Sequence, residues 1–156
     1  MPREKGRIMV AQNRRARHDY HLGDHFEAGL VLTGTEVKAA RGGQIQLKDA
    51  YGEVSGNEAW LVNAHFAKYS HGNMANHEPI RRRKLLMHRS EIVKLQETTR
   101  ERGLTVVPTK MYLKNGRIKV ELAVGKGKKF HDKRQSERER EMKSEAKSAL
   151  GRRGRD

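Results

Sequence analysis

Residues 105–124 constrain the fold of this chain more than any other stretch. Two apolar-rich runs, 105–113 and 117–124, flank Lys114-Asn115-Gly116-Arg117. An Asn-Gly pair between such runs is the strongest short signal of a β-hairpin, because both central residues of its turn adopt positive φ. The second run alternates, with Ile118, Val120, Leu122 and Val124 on one face and Arg117, Lys119 and Glu121 on the other. That period of two predicts a strand with one buried and one outward face. It recurs over 25–33, where Phe26, Ala28, Leu30 and Leu32 share a face opposite Glu27 and Gly29, and Gly29 suits a bend or bulge. Further strands are expected at 48–54 and 59–66, joined by the turn Ser55-Gly56-Asn57-Glu58.

Helices are fewer. Residues 88–102 have helical spacing at Ile92 and Leu95, and Gly103 stands where a C′ residue would sit. Short helices are also expected over 36–40, before Gly42-Gly43, and over 10–17, ending near His18. Setting aside a basic N-terminal arm with its short helix (1–17) and a C-terminal tail (126–156) leaves 18–125, about 110 residues, enough for one hydrophobic core. Many short antiparallel strands with about three short helices predict a mainly β fold, a small closed antiparallel barrel of the oligonucleotide/oligosaccharide-binding (OB) type.

The tail is of a different character. Residues 126–156 hold 12 Lys/Arg against 6 Asp/Glu, and past Phe130 their only apolar positions are Met142, Ala146, Ala149 and Leu150. Such a segment buries almost nothing by itself. Its helix grammar is nevertheless good: Ser136 and Glu139 make a capping box, Glu139 and Lys143 are a favourably oriented pair, and Gly151 suits a helix stop. We expect a tail that is disordered when free and helical over about 137–150 when bound.

Charge points to the partner. The chain carries +15. Residues 1–17 hold six Lys/Arg against one acid and residues 79–125 twelve against four, whereas residues 18–78 hold four against eight. Segmental positive charge of this size fits a polyanion, nucleic acid first. No apolar run approaches the length of a membrane-spanning helix, and Ile8-Met9-Val10-Ala11 is too short for a secretory core. There is no cysteine, so disulfides and thiolate metal sites are excluded and a cytoplasmic location is expected. His21 and His25 with Asp19 and Asp24 are the one group worth weighing as metal ligands, but no third ligand is grouped on their face. No P-loop or Gly-x-Ser-x-Gly is present and the carboxylates of 18–78 are scattered, so no enzyme activity, cofactor or metal is expected.

Three segments resemble the SsrA-binding protein family, also called small protein B. The first is Asn13-Arg14-Arg15-Ala16-Arg17-His18-Asp19-Tyr20, followed by Phe26-Glu27-Ala28-Gly29-Leu30 and Thr35-Glu36-Val37-Lys38. The second runs from His77-Glu78-Pro79 through Arg81-Arg82-Arg83-Lys84-Leu85-Leu86 to His88, and the third is Val124-Gly125-Lys126-Gly127-Lys128-Lys129-Phe130-His131-Asp132-Lys133-Arg134. The resemblance implies an adaptor of trans-translation. It would bind the tRNA-like part of transfer-messenger RNA (tmRNA), which elongation factor Tu carries in aminoacylated form, and bring it to stalled ribosomes. The tail would then enter the decoding centre and the empty messenger channel. A monomer is expected.

The resemblance also gives site residues, each with a plainer alternative. Asn13, Arg14, Arg15 and Arg17 are by composition a solvated basic arm; by resemblance they contact RNA. Glu27 reads as an outward carboxylate or a cross-strand ion pair; by resemblance it accepts from RNA amino or hydroxyl groups. Leu86 would ordinarily be core; by resemblance it packs on a base or ribose while Arg81, Arg83 and Lys84 reach the backbone, and Lys38 joins the set. In the tail, Lys126, Lys128 and Lys129 form a glycine-punctuated electrostatic anchor. His131, Asp132, Lys133 and Arg134 fall, by resemblance, near the decoding nucleotides, with Met142 further along. The alternative function is a general RNA-chaperone or ribosome-assembly barrel.

Overall fold

The computed structural model describes residues 7–69, 76–101, 103–128, 134 and 137–142. Its organising element is the expected hairpin. Strands β8 (Leu104–Lys114) and β9 (Arg117–Gly127) meet at Asn115 and Gly116, whose φ values of 51° and 76° give the tight turn that the Asn-Gly pair predicts. On its other side β9 pairs with β2 (Tyr20–Leu30), and the end of β2 pairs with β7 (Arg83–Leu86). From β7 the ladder continues to β5 (Glu58–Val62) and β4 (Tyr51–Ser55), and Gly52 of β4 pairs back to Val106 of β8. All these pairings are antiparallel and the ring closes, as expected of an OB-type barrel. Glycine is required at the closing point: a Cβ on residue 52 would lie 2.7 Å from Val106 Cγ1.

Strand β1 (Ile8–Gln12) lies along the rest of the β8 edge, from Ile8 opposite Leu113 to Gln12 opposite Lys110. This corrects the helix expected over 10–17. An edge of β8 left open beside β4 pairs with Ile8–Gln12, and helix α1 is confined to Arg15–Asp19. The other helices fall where expected. Helix α2 (Gly34–Arg41) starts at a capping box of Thr33 and Glu36, and α3 (Arg89–Thr99) buries Leu95. Gly103 is not its C′ residue. The cap is Arg100, and Gly103 at φ 87° turns the chain into β8.

A small pair, β3 (Ile45–Gln46) with β6 (His65–Phe66), stands beside the main sheet. The barrel is filled by Leu61, Leu85, Val106, Met111, Val120 and Leu122, with Phe66 and Leu95 also fully buried. The inward set assigned to the last strand is therefore correct. The bulge expected at Gly29 is not there. Gly29 is regularly paired on both sides, to Lys119 and to Leu86, and the irregularity in β2 falls between Leu22 and His25.

Candidate nucleic-acid interface

The outer face of β2, β9 and β8 gathers charge around one carboxylate. Alternation puts Glu27 outward on β2, Arg117 and Lys119 outward on β9, and Tyr112 and Lys114 outward on β8. Lys114 Nζ lies 3.4 Å from both Glu27 oxygens, Arg7 Nη2 lies 3.5 Å from Oε2, and the Tyr112 hydroxyl donates a short hydrogen bond to Oε2. The Tyr112 hydrogen bond is the largest influence holding the Glu27 carboxyl below its ordinary pKa; partial desolvation opposes it, and Lys114 and Lys119 add to it. The carboxylate thus stays ionised within a positive rim, and its remaining acceptor capacity faces outward.

Next to it, Leu86 is 53% exposed at the end of β7. A Cβ on Gly29 would sit 3.3 Å from Leu86 Cβ and 3.6 Å from Lys119 Nζ, so the glycine leaves room for those two side chains to converge. Leu30, Leu32 and Ile118 floor a groove of about 360 Å³ there, with Arg117 and Lys119 on its rim. An apolar floor beside cations is what an unstacked base and its phosphate require. Sequence reasoning placed Glu27 and Leu86 here but missed Arg7, Tyr112, Lys114, Arg117 and Lys119. The available signal was the alternation of the last strand, which put Arg117 and Lys119 outward; nothing local marked Arg7 or Tyr112.

Other expected RNA contacts separate from this face. Asn13 is buried, its Nδ2 committed to the carbonyls of Pro108 (2.8 Å) and Leu47 (3.3 Å), while its buried Oδ1 has no hydrogen-bond partner among the described residues. Arg83 is fully buried and bonded to Glu36 and to the carbonyls of Ala64, Arg81, Glu78 and Pro79. In this fold it is interior, which corrects the expectation that it reaches an RNA backbone. Arg81 is half-buried on the same Glu36 carboxylate. Burial pushes the Glu36 carboxyl up, but hydrogen bonds from Arg81, the Thr33 amide and Arg83, with the charge of Arg83, bring it below its usual value. Lys84 is outward on β7 and paired with Glu58 at 3.2 Å, and Lys38 is exposed on α2 with Nζ 5.3 Å from the Tyr69 ring centroid.

Arg14, Arg15 and Arg17 are exposed around α1, at the opposite end of β2. Seven residues of strand separate Tyr20 from Glu27, roughly 20 Å. The tail leaves from this second end: Lys126 is exposed on β9, and the Lys128 N–H donates to the Asp19 carbonyl at 2.9 Å. Lys129, His131, Asp132 and Lys133 lie outside the described residues, as do Ser136 and Lys143. Arg134 and residues 137–142 are helical, and Met142 is 67% exposed. The helix returns toward α1. His18 has Asp19 Oδ1 at 2.8 Å from one ring nitrogen and Glu137 Oε1 at 2.8 Å from the other, while Arg140 lines a cleft with Gln12, Arg17, Lys110 and Glu121. The Asp19 hydrogen bond first, then that of Glu137, raises the His18 pKa. The imidazolium contact with Glu137 is therefore present below the ordinary histidine range and lost as pH rises through the raised value.

The comparisons with known proteins agree with one another. The family model described as SmpB protein matches residues 10–152. The SsrA-binding protein of Acidothermus cellulolyticus is 51% identical over 153 residues, 98% of this chain and 96% of that one. That of Parafrankia sp. is 53% identical over 152 residues, 97% and 96% of the two chains. A solved chain from "tmRNA-SmpB: a journey to the center of the bacterial ribosome" aligns with a TM-score of 0.66 and 41% identity, covering 77% of this chain and 85% of that chain. With a model matched along nearly its whole length and relatives above half identity, this chain belongs to the SmpB protein family of SsrA-binding proteins.

Proposed function

We propose that the chain is an RNA-binding adaptor of trans-translation. It binds the tRNA-like domain of tmRNA through the outer face of β2, β7, β8 and β9 and delivers it to stalled ribosomes. The aminoacylated RNA travels with elongation factor Tu, the protein acts as a cytoplasmic monomer, and its tail occupies the decoding centre and the empty messenger channel. The observation that carries this reading is the grouping of the ionised Glu27 with Lys114, Lys119 and exposed Leu86 on one face. A carboxylate there would repel phosphate in any purely electrostatic binder. Its placement inside a cationic rim favours recognition of a particular RNA donor group over general RNA chaperoning.

The deciding measurement is the RNA that copurifies with the protein from cells. One dominant stable RNA with an alanine-accepting end is expected; a mixture of ribosomal fragments would support the general chaperone instead. Glu27→Gln tests the face directly. It keeps the shape and an oxygen for Tyr112 but removes the charge, so tmRNA binding should weaken by about 1–3 kcal/mol. The Glu27 ion pairs are half-exposed, so stability should change by less than about 1 kcal/mol. Unchanged or tighter RNA binding in a filter or fluorescence titration would remove Glu27 from the interface.

A further inference from the structure

Tyr112 is out of place for a buried aromatic. Its neighbours in the chain follow the barrel alternation, Met111 pointing into the core, so Tyr112 is on the outer face, opposite Lys119 of β9 and Met9 of β1. It is only 1% exposed, yet it lies outside the cluster of side chains that packs the barrel interior. What covers it is polar: the Arg7 guanidinium stacks 3.8 Å from the ring centroid. Its hydroxyl spans β9 to reach Glu27 on β2. An arginine stacked over a phenol whose hydroxyl donates to a carboxylate two strands away is the geometry of a brace.

We propose that Tyr112, clamped by Arg7, is a positioning residue for RNA recognition: it holds Glu27 Oε2 so that Oε1 is presented, ionised and in one orientation, to a donor group of the RNA. This rests on the reading of the Glu27 face as the RNA site. The groups facing the carboxylate are Tyr112 and Lys114 from β8, Lys119 and Glu121 from β9, and Arg7 from the chain before β1. Of these, only Tyr112 is both buried and short-range. Lys114 and Arg7, at 3.4 and 3.5 Å, supply charge without fixing a rotamer. The Tyr112 phenol is itself pushed up to about 12, first by burial and then by Glu27, so it remains a donor at every working pH. Free to rotate, Glu27 would lose the one orientation in which Oε1, already beside Lys114 at 3.4 Å, meets the RNA donor.

Tyr112→Phe removes the donor and keeps the ring under Arg7. Expected results are about tenfold weaker binding of a tmRNA transcript, and no further loss when Tyr112→Phe is added to Glu27→Gln. In the free protein, the Glu27 carboxyl followed by carbon-13 NMR should titrate at higher pH in Tyr112→Phe than in the parent, because the largest influence lowering it is gone. A tyrosine that only packed beneath Arg7, without holding Glu27, would leave that midpoint unmoved. Parent-like RNA affinity of Tyr112→Phe, alongside a weakened Glu27→Gln, overturns the brace, and so do losses that simply add in the double variant. If Glu27→Gln itself binds like the parent, the RNA reading of the face falls, and the brace falls with it. That failure is told apart because Glu27, rather than Tyr112, is then silent.

Discussion

Arg83→Ala is expected to destabilise the barrel by about 3–5 kcal/mol, the range for breaking a buried ion pair by removing one partner. At a domain of this size that lowers the melting temperature by roughly 10–20 °C. The Arg83 side chain is fully buried between β7 and the segment before it, bonded to Glu36 and to four main-chain carbonyls, with its guanidinium 3.9 Å from the Phe66 ring centroid. Alanine leaves a buried carboxylate with Arg81 and the Thr33 amide as its remaining partners, and strands the carbonyls of Ala64 and Glu78. The neighbouring Arg82→Ala is the control. Arg82 is exposed, stacked 4.4 Å from the Trp60 ring centroid and 4.0 Å from Glu53, so its loss should cost no more than about 1 kcal/mol. Thermal melts of the two variants decide it: an Arg83→Ala protein that melts within a few degrees of the parent would return this arginine to the list of RNA contacts.

The contrast between these two arginines marks where the sequence stops being informative. Arg81-Arg82-Arg83 reads as a uniform basic patch, because nothing local says which of the three faces inward. The answer lies in Glu36, 47 residues away from Arg83. The same holds for Asn13, whose partners Leu47 and Pro108 are remote, and for Tyr112, whose cover by Arg7 and bond to Glu27 come from segments about a hundred residues away. What was legible is what local chemistry dictates. The Asn115-Gly116 turn, the inward set Ile118, Val120 and Leu122, the turn at 55–58 and the helix at 89–99 need only nearest neighbours in the chain. Strand β1 was misread as helix because its structure comes from the unpaired edge of β8, a partner about a hundred residues on. For the interface, the resemblance brought forward Glu27 and Leu86, and the fold supplied the cations around them.

Deleting residues 129–156 should abolish tagging on stalled ribosomes while leaving specific tmRNA binding within roughly twofold of the parent at moderate salt. The position of the cut matters. Gly125, Lys126 and Gly127 are still paired with Leu22, His21 and Tyr20, and the Lys128 N–H donates to the Asp19 carbonyl, so a cut before Lys128 would damage the barrel as well as remove the tail. Beyond Lys128 the chain loses ten Lys/Arg and six acids, a change that weakens general attraction to RNA but leaves Glu27, Leu86, Lys114 and Lys119 untouched. Loss of RNA affinity in step with tagging would show that barrel and tail are one module. Met142→Pro then separates charge from helix. Residues 137–142 are helical, so a proline at 142 removes the amide that would bond toward Arg138 and costs about 3 kcal/mol in a helix interior, with no change in charge. Tagging should fall at least about tenfold, since a 3 kcal/mol penalty on the bound helix exceeds what a tenfold loss requires. A Met142→Pro protein that tags as well as the parent would mean that the tail acts as an unstructured cation, and that a vacant messenger channel is recognised by charge alone.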